Sequence, residues 1–100
     1  LSDSREFVIR FGIVLCLSYY IDNDRLPAIF GSFDRLFLSG AHNYYYVRMA
    51  IVWFLATSLY KCPDATRRYA CSGSLPPEVM ALYRRKVRES FRTRDMNPLL

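Results

Sequence analysis

The chain has 100 residues, 52% of them hydrophobic, and a formal net charge of +5. A chain this short makes one small domain that buries about two-thirds of its unfolded surface, and its longest charge-free apolar stretch, 49–60, falls well short of the roughly 20 residues that span a membrane. Residues 1–60 hold five arginines against five acids, while residues 61–100 hold nine basic residues against four acids; such asymmetry points to a polyanionic partner, most simply nucleic acid.

In chain order, the apolar spacing predicts a first helix over about 4–21, with Ser4 or Asp3 as N-cap. It is apolar nearly all round after Arg10, which makes it a core helix. Asp22-Asn23-Asp24 breaks it, and Pro27 suits the first turn of a second helix over about 26–38, weakened at Gly31 and ended by Ser39-Gly40. A third helix is expected over about 43–61, capped by Asn43 and stopped by Pro63. A short fourth covers about 64–70, and Ser72-Gly73-Ser74 reads as a loop. Pro76-Pro77-Glu78 opens a last helix to about residue 91. Its stripe is Val79, Leu82, Tyr83 and Val87, surrounded by Arg84, Arg85, Lys86, Arg88 and Arg92. The tail 93–100 is expected to fray. No segment reads as a strand, so the fold class is all-α.

Residues 7–14, Phe-Val-Ile-Arg-Phe-Gly-Ile-Val, return as Tyr-Tyr-Val-Arg-Met-Ala-Ile-Val at 45–52. The offset is 38 residues, with Arg10 matched to Arg48 and Gly12 to Ala50. Helix pairs repeating at about 40 residues are the period of HEAT-like solenoids, an α-α superhelix. A small residue at the Gly12/Ala50 position would let a neighbouring helix approach closely. Solenoids need about three repeats to bury a continuous core. Residues 1–100, which begin at Leu1, are therefore expected to be the C-terminal part of a longer protein.

Chemistry-bearing constellations are sparse. His42 is the only histidine and has no patterned nucleophile or acid beside it, so it reads as a loop residue near a helix start. The four glycines are scattered and form no phosphate loop. No His, Cys and carboxylate set has metal-ligand spacing, so neither metal nor cofactor is expected. Cys16, Cys62 and Cys71 read as reduced structural thiols. Without a secretory signal pattern the expected location is cytoplasmic. What remains is Arg10, Arg48 and Trp53. One reading pairs the arginines with acids of a neighbouring repeat and packs Trp53 in the core. The other places Arg10 and Trp53 on a concave face, with guanidinium to phosphate and indole to sugar or base.

The strings 7–15 (Phe-Val-Ile-Arg-Phe-Gly-Ile-Val-Leu), 45–53 (Tyr-Tyr-Val-Arg-Met-Ala-Ile-Val-Trp) and 86–92 (Lys-Val-Arg-Glu-Ser-Phe-Arg) resemble the C-terminal half of the bacterial DNA alkylation repair family, AlkD-like DNA glycosylases built from HEAT-like repeats. Lys61-Cys62-Pro63-Asp64 resembles the family's break after its Trp-bearing helix. The resemblance implies DNA repair by removal of N3- or N7-alkylated purines from double-stranded DNA. By it, Arg10 matches an Arg that contacts DNA near the lesion, and Trp53 matches an aromatic of the cleft. Arg48, Arg84, Arg85 and Arg88 are the further candidates for DNA contact. In the family a carboxylate stabilises the developing oxocarbenium ion, and the lesion is not flipped into a deep pocket, unlike the usual glycosylase strategy. That Asp belongs to a repeat upstream of Arg10, and none of Asp3, Asp22, Asp24 or Asp34 takes its place. No catalytic residue is therefore expected in these 100 residues. The alternative is a non-catalytic HEAT-like scaffold that binds DNA or protein. Under the DNA reading, Arg10, Trp53 and the cluster Arg84 to Arg88 share one concave surface; under the scaffold reading they scatter.

Overall fold

The computed structural model describes residues 2–99, with side chains from residue 5 onward. Among the described residues it is all-helical, with no strand. The elements are α1 (Ser2–Tyr19), α2 (Leu26–Ser39), a 3-10 turn (Ala41–Asn43), α3 (Tyr45–Lys61), α4 (Pro63–Cys71) and α5 (Pro77–Glu89). The expected caps Ser4 and Asp3 have side chains outside the described residues.

Local chemistry sets most boundaries. After α1 the Asp22 carboxylate accepts a hydrogen bond from the Arg25 backbone N–H at 2.8 Å, turning the chain into α2, where Pro27 occupies a position that needs no N–H donor. Gly40 ends α2 in the left-handed region at φ 80, donating its N–H to Phe37 at 3.2 Å; a side chain there would be strained. Pro63 both stops α3 and starts α4 one residue after it.

The central element is α3, against which α1, α4 and α5 all pack. Its buried residues Val47, Ile51, Phe54, Leu55 and Leu59 form the axis of the core. From α2, Phe33 meets Phe54 edge-on at 5.1 Å, and Phe30 stacks on Tyr69 of α4 at 4.1 Å. The Tyr69 hydroxyl donates to Asp34 at 2.7 Å, and the buried hydroxyls of Ser58 and Thr66 hydrogen-bond to join α3 to α4. α5 contributes Val79, Tyr83 and Val87, one buried stripe at every fourth residue.

The structure departs from the sequence reading in four places. Asn43 does not cap α3: it sits in the 3-10 turn, and Tyr44 holds the N-cap position without a side-chain hydrogen bond. Instead Glu6 of α1 reaches across, its carboxylate accepting from the Tyr46 N–H at 2.8 Å. Second, α1 is only half a core helix. Ile13 is buried and Ile9, Cys16 and Leu17 pack against the core, while Phe7, Val8, Phe11, Leu15 and Tyr19 face outward. Third, Gly12 makes no close approach, because a Cβ built on it would meet nothing within 4 Å; Ala50, its counterpart, is buried. Fourth, the described part of the tail, 93–99, is anchored rather than frayed. Thr93 is 2% exposed and donates its hydroxyl to the Val87 carbonyl, the Tyr83 hydroxyl donates to Pro98 O at 2.8 Å, and Arg67 donates to Asn97 O at 2.8 Å.

Candidate nucleic-acid interface

Residues seven apart on an α-helix return to within about 20° of the same direction. On α3 that spacing joins Tyr46, Trp53 and Tyr60, and all three are half-exposed, at 56%, 48% and 49%. They form an aromatic line along one side of α3, drifting by about 40° over its length. The opposite sides carry Val47, Phe54, Leu55 and Leu59, which explains why α3 shows no apolar stripe in its sequence despite its large buried surface.

Cations sit against both ends of this line. The Arg10 guanidinium lies 5.6 Å above the Tyr46 ring, and the Arg92 guanidinium lies 5.4 Å from the Tyr60 ring. Such contacts hold a flexible side chain in place while leaving its N–H donors toward solvent. Arg10 shares a cleft with Glu6, Phe7 and Tyr46. Trp53 borders a separate cleft with Tyr60, Lys86 and Arg92.

The remaining candidates divide. Arg48 lies in a third cleft between α3 and α5 with Tyr45, Met49, Arg85, Lys86 and Glu89. Its guanidinium approaches the Tyr45 ring at 5.8 Å, and its buried Nε has no hydrogen-bond partner among the described residues. Arg85 pairs with Glu89 at 3.0 Å, an exposed i, i+4 ion pair worth only a few tenths of a kcal/mol. Because Val79, Tyr83 and Val87 point into the core, helical geometry puts Arg84 and Arg88 on one flank of α5 and Leu82, Lys86 and Glu89 on the other. Only the second flank faces the α3 clefts. Arg10 and Arg48, equivalent in the repeat, thus occupy different clefts on different sides of α3. Among the described residues neither guanidinium forms an ion pair.

Comparison with protein-family models, with curated proteins and with solved structures returns no match. The geometry of these side chains is therefore what speaks for a function. Tyr46 and Tyr60 were not singled out in the sequence, although the seven-residue spacing of Tyr46, Trp53 and Tyr60 was there to be read, and Lys86 and Arg92 were named only among the basic residues around the stripe of the last helix. The contact of Arg92 with Tyr60, 32 positions away, left no sequence signal.

Elsewhere the chemistry is sparse. His42 is buried in the 3-10 turn, edge-on to Phe37 at 5.4 Å, with Nε2 3.3 Å from the Glu78 carboxylate of α5. This contact ties the start of α3 to the start of α5. Among the described residues no three His, Cys, Asp or Glu side chains are grouped to hold a metal ion, and no helix is long and apolar enough to cross a membrane. Desolvation pushes the Cys16 and Cys62 thiols above their ordinary pKa, which keeps them poor nucleophiles.

Proposed function

We propose that this chain is a helical DNA-binding segment of an alkylation repair protein, holding the duplex backbone with Arg10, Trp53 and the cations beside α3. The observation that carries this reading is the half-exposed line Tyr46, Trp53, Tyr60 with a guanidinium seated on each terminal ring. Exposed aromatics interleaved with cations suit a polyanion whose sugars offer apolar surface, since the cations meet phosphate and the rings pack against sugar or base. The proposal extends to a HEAT-like superhelix and to removal of alkylated purines from double-stranded DNA, as the strings 7–15, 45–53 and 86–92 imply. Within these residues the role is contact rather than bond cleavage. The one carboxylate in the Arg10 cleft, Glu6, is engaged by the Tyr46 backbone.

The test is fluorescence anisotropy with a labelled duplex, plain and carrying an abasic-site analogue, at two salt concentrations. Arg10→Ala should weaken binding to every sequence alike and reduce the slope of log K against log salt by about 0.9. Trp53→Ala should weaken binding and, because about half of the side chain is covered, also cost stability by about 1–2 kcal/mol, so its fold is checked by circular dichroism. Folded wild-type protein that ignores DNA at low salt rejects the reading.

A second reading, a protein-interaction scaffold, is favoured by two features: Arg10, Trp53 and the cluster Arg84 to Arg88 are divided among separate clefts and flanks rather than sharing one surface, and α1 turns an apolar face outward, with Phe7 and Phe11 stacked at 6.3 Å. Retained DNA affinity in both variants, with α1 face substitutions abolishing self-association or partner capture, would favour it.

A further inference from the structure

Beyond Trp53 the aromatic line runs into the turn that follows α5. That turn is fixed by hydrogen bonds: Thr93 and Arg94 donate their N–H groups to Ser90 O at 3.2 and 2.9 Å, and Met96 donates to Thr93 O at 2.8 Å. The buried Thr93 hydroxyl anchors it to the end of α5 at 2.9 Å. A turn held this way is a platform rather than a loose end. It seats Arg92 on Tyr60 and projects Phe91, 82% exposed, with the Arg94 guanidinium 5.2 Å from its ring. Between this platform and α3 lies a cleft of about 310 Å³ bordered by Trp53, Thr57, Tyr60, Lys86, Ser90 and Arg92.

We infer that this cleft is a second phosphodiester-binding station for double-stranded DNA, separate from the Arg10 end; the inference rests on the DNA-binding reading. Lys86 and Arg92 line it together with Thr57 and Ser90, and no carboxylate borders it. That set suits a phosphate, with two charges and hydroxyl donors. The aromatic lining, Trp53, Tyr60 and Phe91, matches the apolar face of the adjoining deoxyribose.

Spacing favours a duplex over a single strand. Rings seven residues apart on α3 are about 10.5 Å apart along the axis, and Tyr46 to Tyr60 spans about 21 Å. Successive stacked bases lie about 3.4 Å apart, so these rings cannot take neighbouring bases, whereas about 21 Å matches roughly six base-pair rises along a duplex axis, a little over half a helical turn, so that phosphates of opposite strands would face the two ends. The Arg10 end and the Arg92 end would then grip the same duplex about six steps apart.

The experiment measures binding of the intact chain to hairpin DNAs whose stems are about five and about fifteen base pairs long, chosen against that six-step span, and to a single strand, across a salt series. Arg92→Gln and Tyr60→Ala should weaken binding to the long stem and change the short stem little, since the Arg10 end remains. Arg92→Gln should lower the long-stem salt slope by about 0.9, and Arg92→Lys should restore it. Both positions are exposed, so the variants are expected to stay folded, which circular dichroism checks. An unchanged long-stem slope in Arg92→Gln, with Arg10→Ala still impaired, overturns the second station alone. Equal or tighter binding to the single strand overturns the duplex assignment. Absence of binding to any DNA overturns this inference together with the reading on which it rests.

Discussion

The Glu6 carboxylate accepts a hydrogen bond from the backbone N–H of Tyr46 at 2.8 Å, while Arg10, one turn further along α1, lies 5.6 Å above the Tyr46 ring. A single residue of α3 is thus held by α1 through both its backbone and its side chain. The start of α3 has no side-chain cap of its own, and an acid from another helix supplies the acceptor where the helix dipole most favours negative charge. The contact fixes the register of α1 along α3, and with it the position of Arg10 at the end of the aromatic line.

Glu6→Ala should therefore destabilise the protein by about 1 kcal/mol, the usual cost of losing an N-cap. Glu6→Gln, which keeps an acceptor oxygen, should cost less. Urea unfolding of the three proteins checks this, and an unshifted midpoint in Glu6→Ala would remove the capping role.

Gly12 offers the opposite sign. It lies inside α1 with open space where a Cβ would sit. Gly12→Ala should stabilise the protein by about 0.5–1 kcal/mol through the lower entropy of its unfolded chain and better helix propensity. A lower thermal midpoint for this variant would mean that something closes on the position in solution.

Stability should also fall steeply in alkali. Burial pushes the Tyr69 hydroxyl well above the ordinary tyrosine pKa, reinforced by its hydrogen bond to Asp34 and that carboxylate's charge, and burial likewise raises Tyr83. For a group whose folded pKa lies above its unfolded value, the stabilisation is complete below the unfolded pKa, about 10 for tyrosine, and is lost as pH rises beyond it. Denaturation followed from pH 8 upward should show a decline that starts near 10 and becomes shallower in Tyr69→Phe and in Tyr83→Phe. A decline of equal steepness in both variants would contradict the assignment.

Thr93→Val keeps the volume of the buried side chain but removes its hydrogen bond to Val87 O. The expected cost is about 1 kcal/mol or slightly more, because the carbonyl is left without its partner. Amide exchange should quicken in 90–96 while α3 stays protected. Uniform protection across both segments would show that packing of Met96 and Leu99, rather than Thr93, holds the turn.

The sequence by itself determined most helix boundaries, the start of α3 excepted, where Glu6 rather than Asn43 supplies the acceptor. Asp22, Gly40, Pro63 and Pro77 act through their own backbone and side-chain chemistry over a few residues, and the structure places breaks at each. Helix periodicity likewise put Val79, Tyr83 and Val87 inside. Only the tertiary structure decided which apolar surface is covered. Phe7, Phe11 and Leu15 are as hydrophobic as Ile9 and Ile13, but α3 packs against one side of α1 and leaves the other open. It also decided the tail, whose anchors Tyr83 and Arg67 lie 15 and 30 residues away from the carbonyls they hold. The same holds for the candidate interface. Arg10 and Trp53 could be named from their strings, whereas Arg92 reaches Tyr60, and Arg48 parts from Arg10, only because helices distant in sequence meet at α3. Local rules fix φ, ψ and periodicity; which faces meet is set by the burial of the whole chain at once.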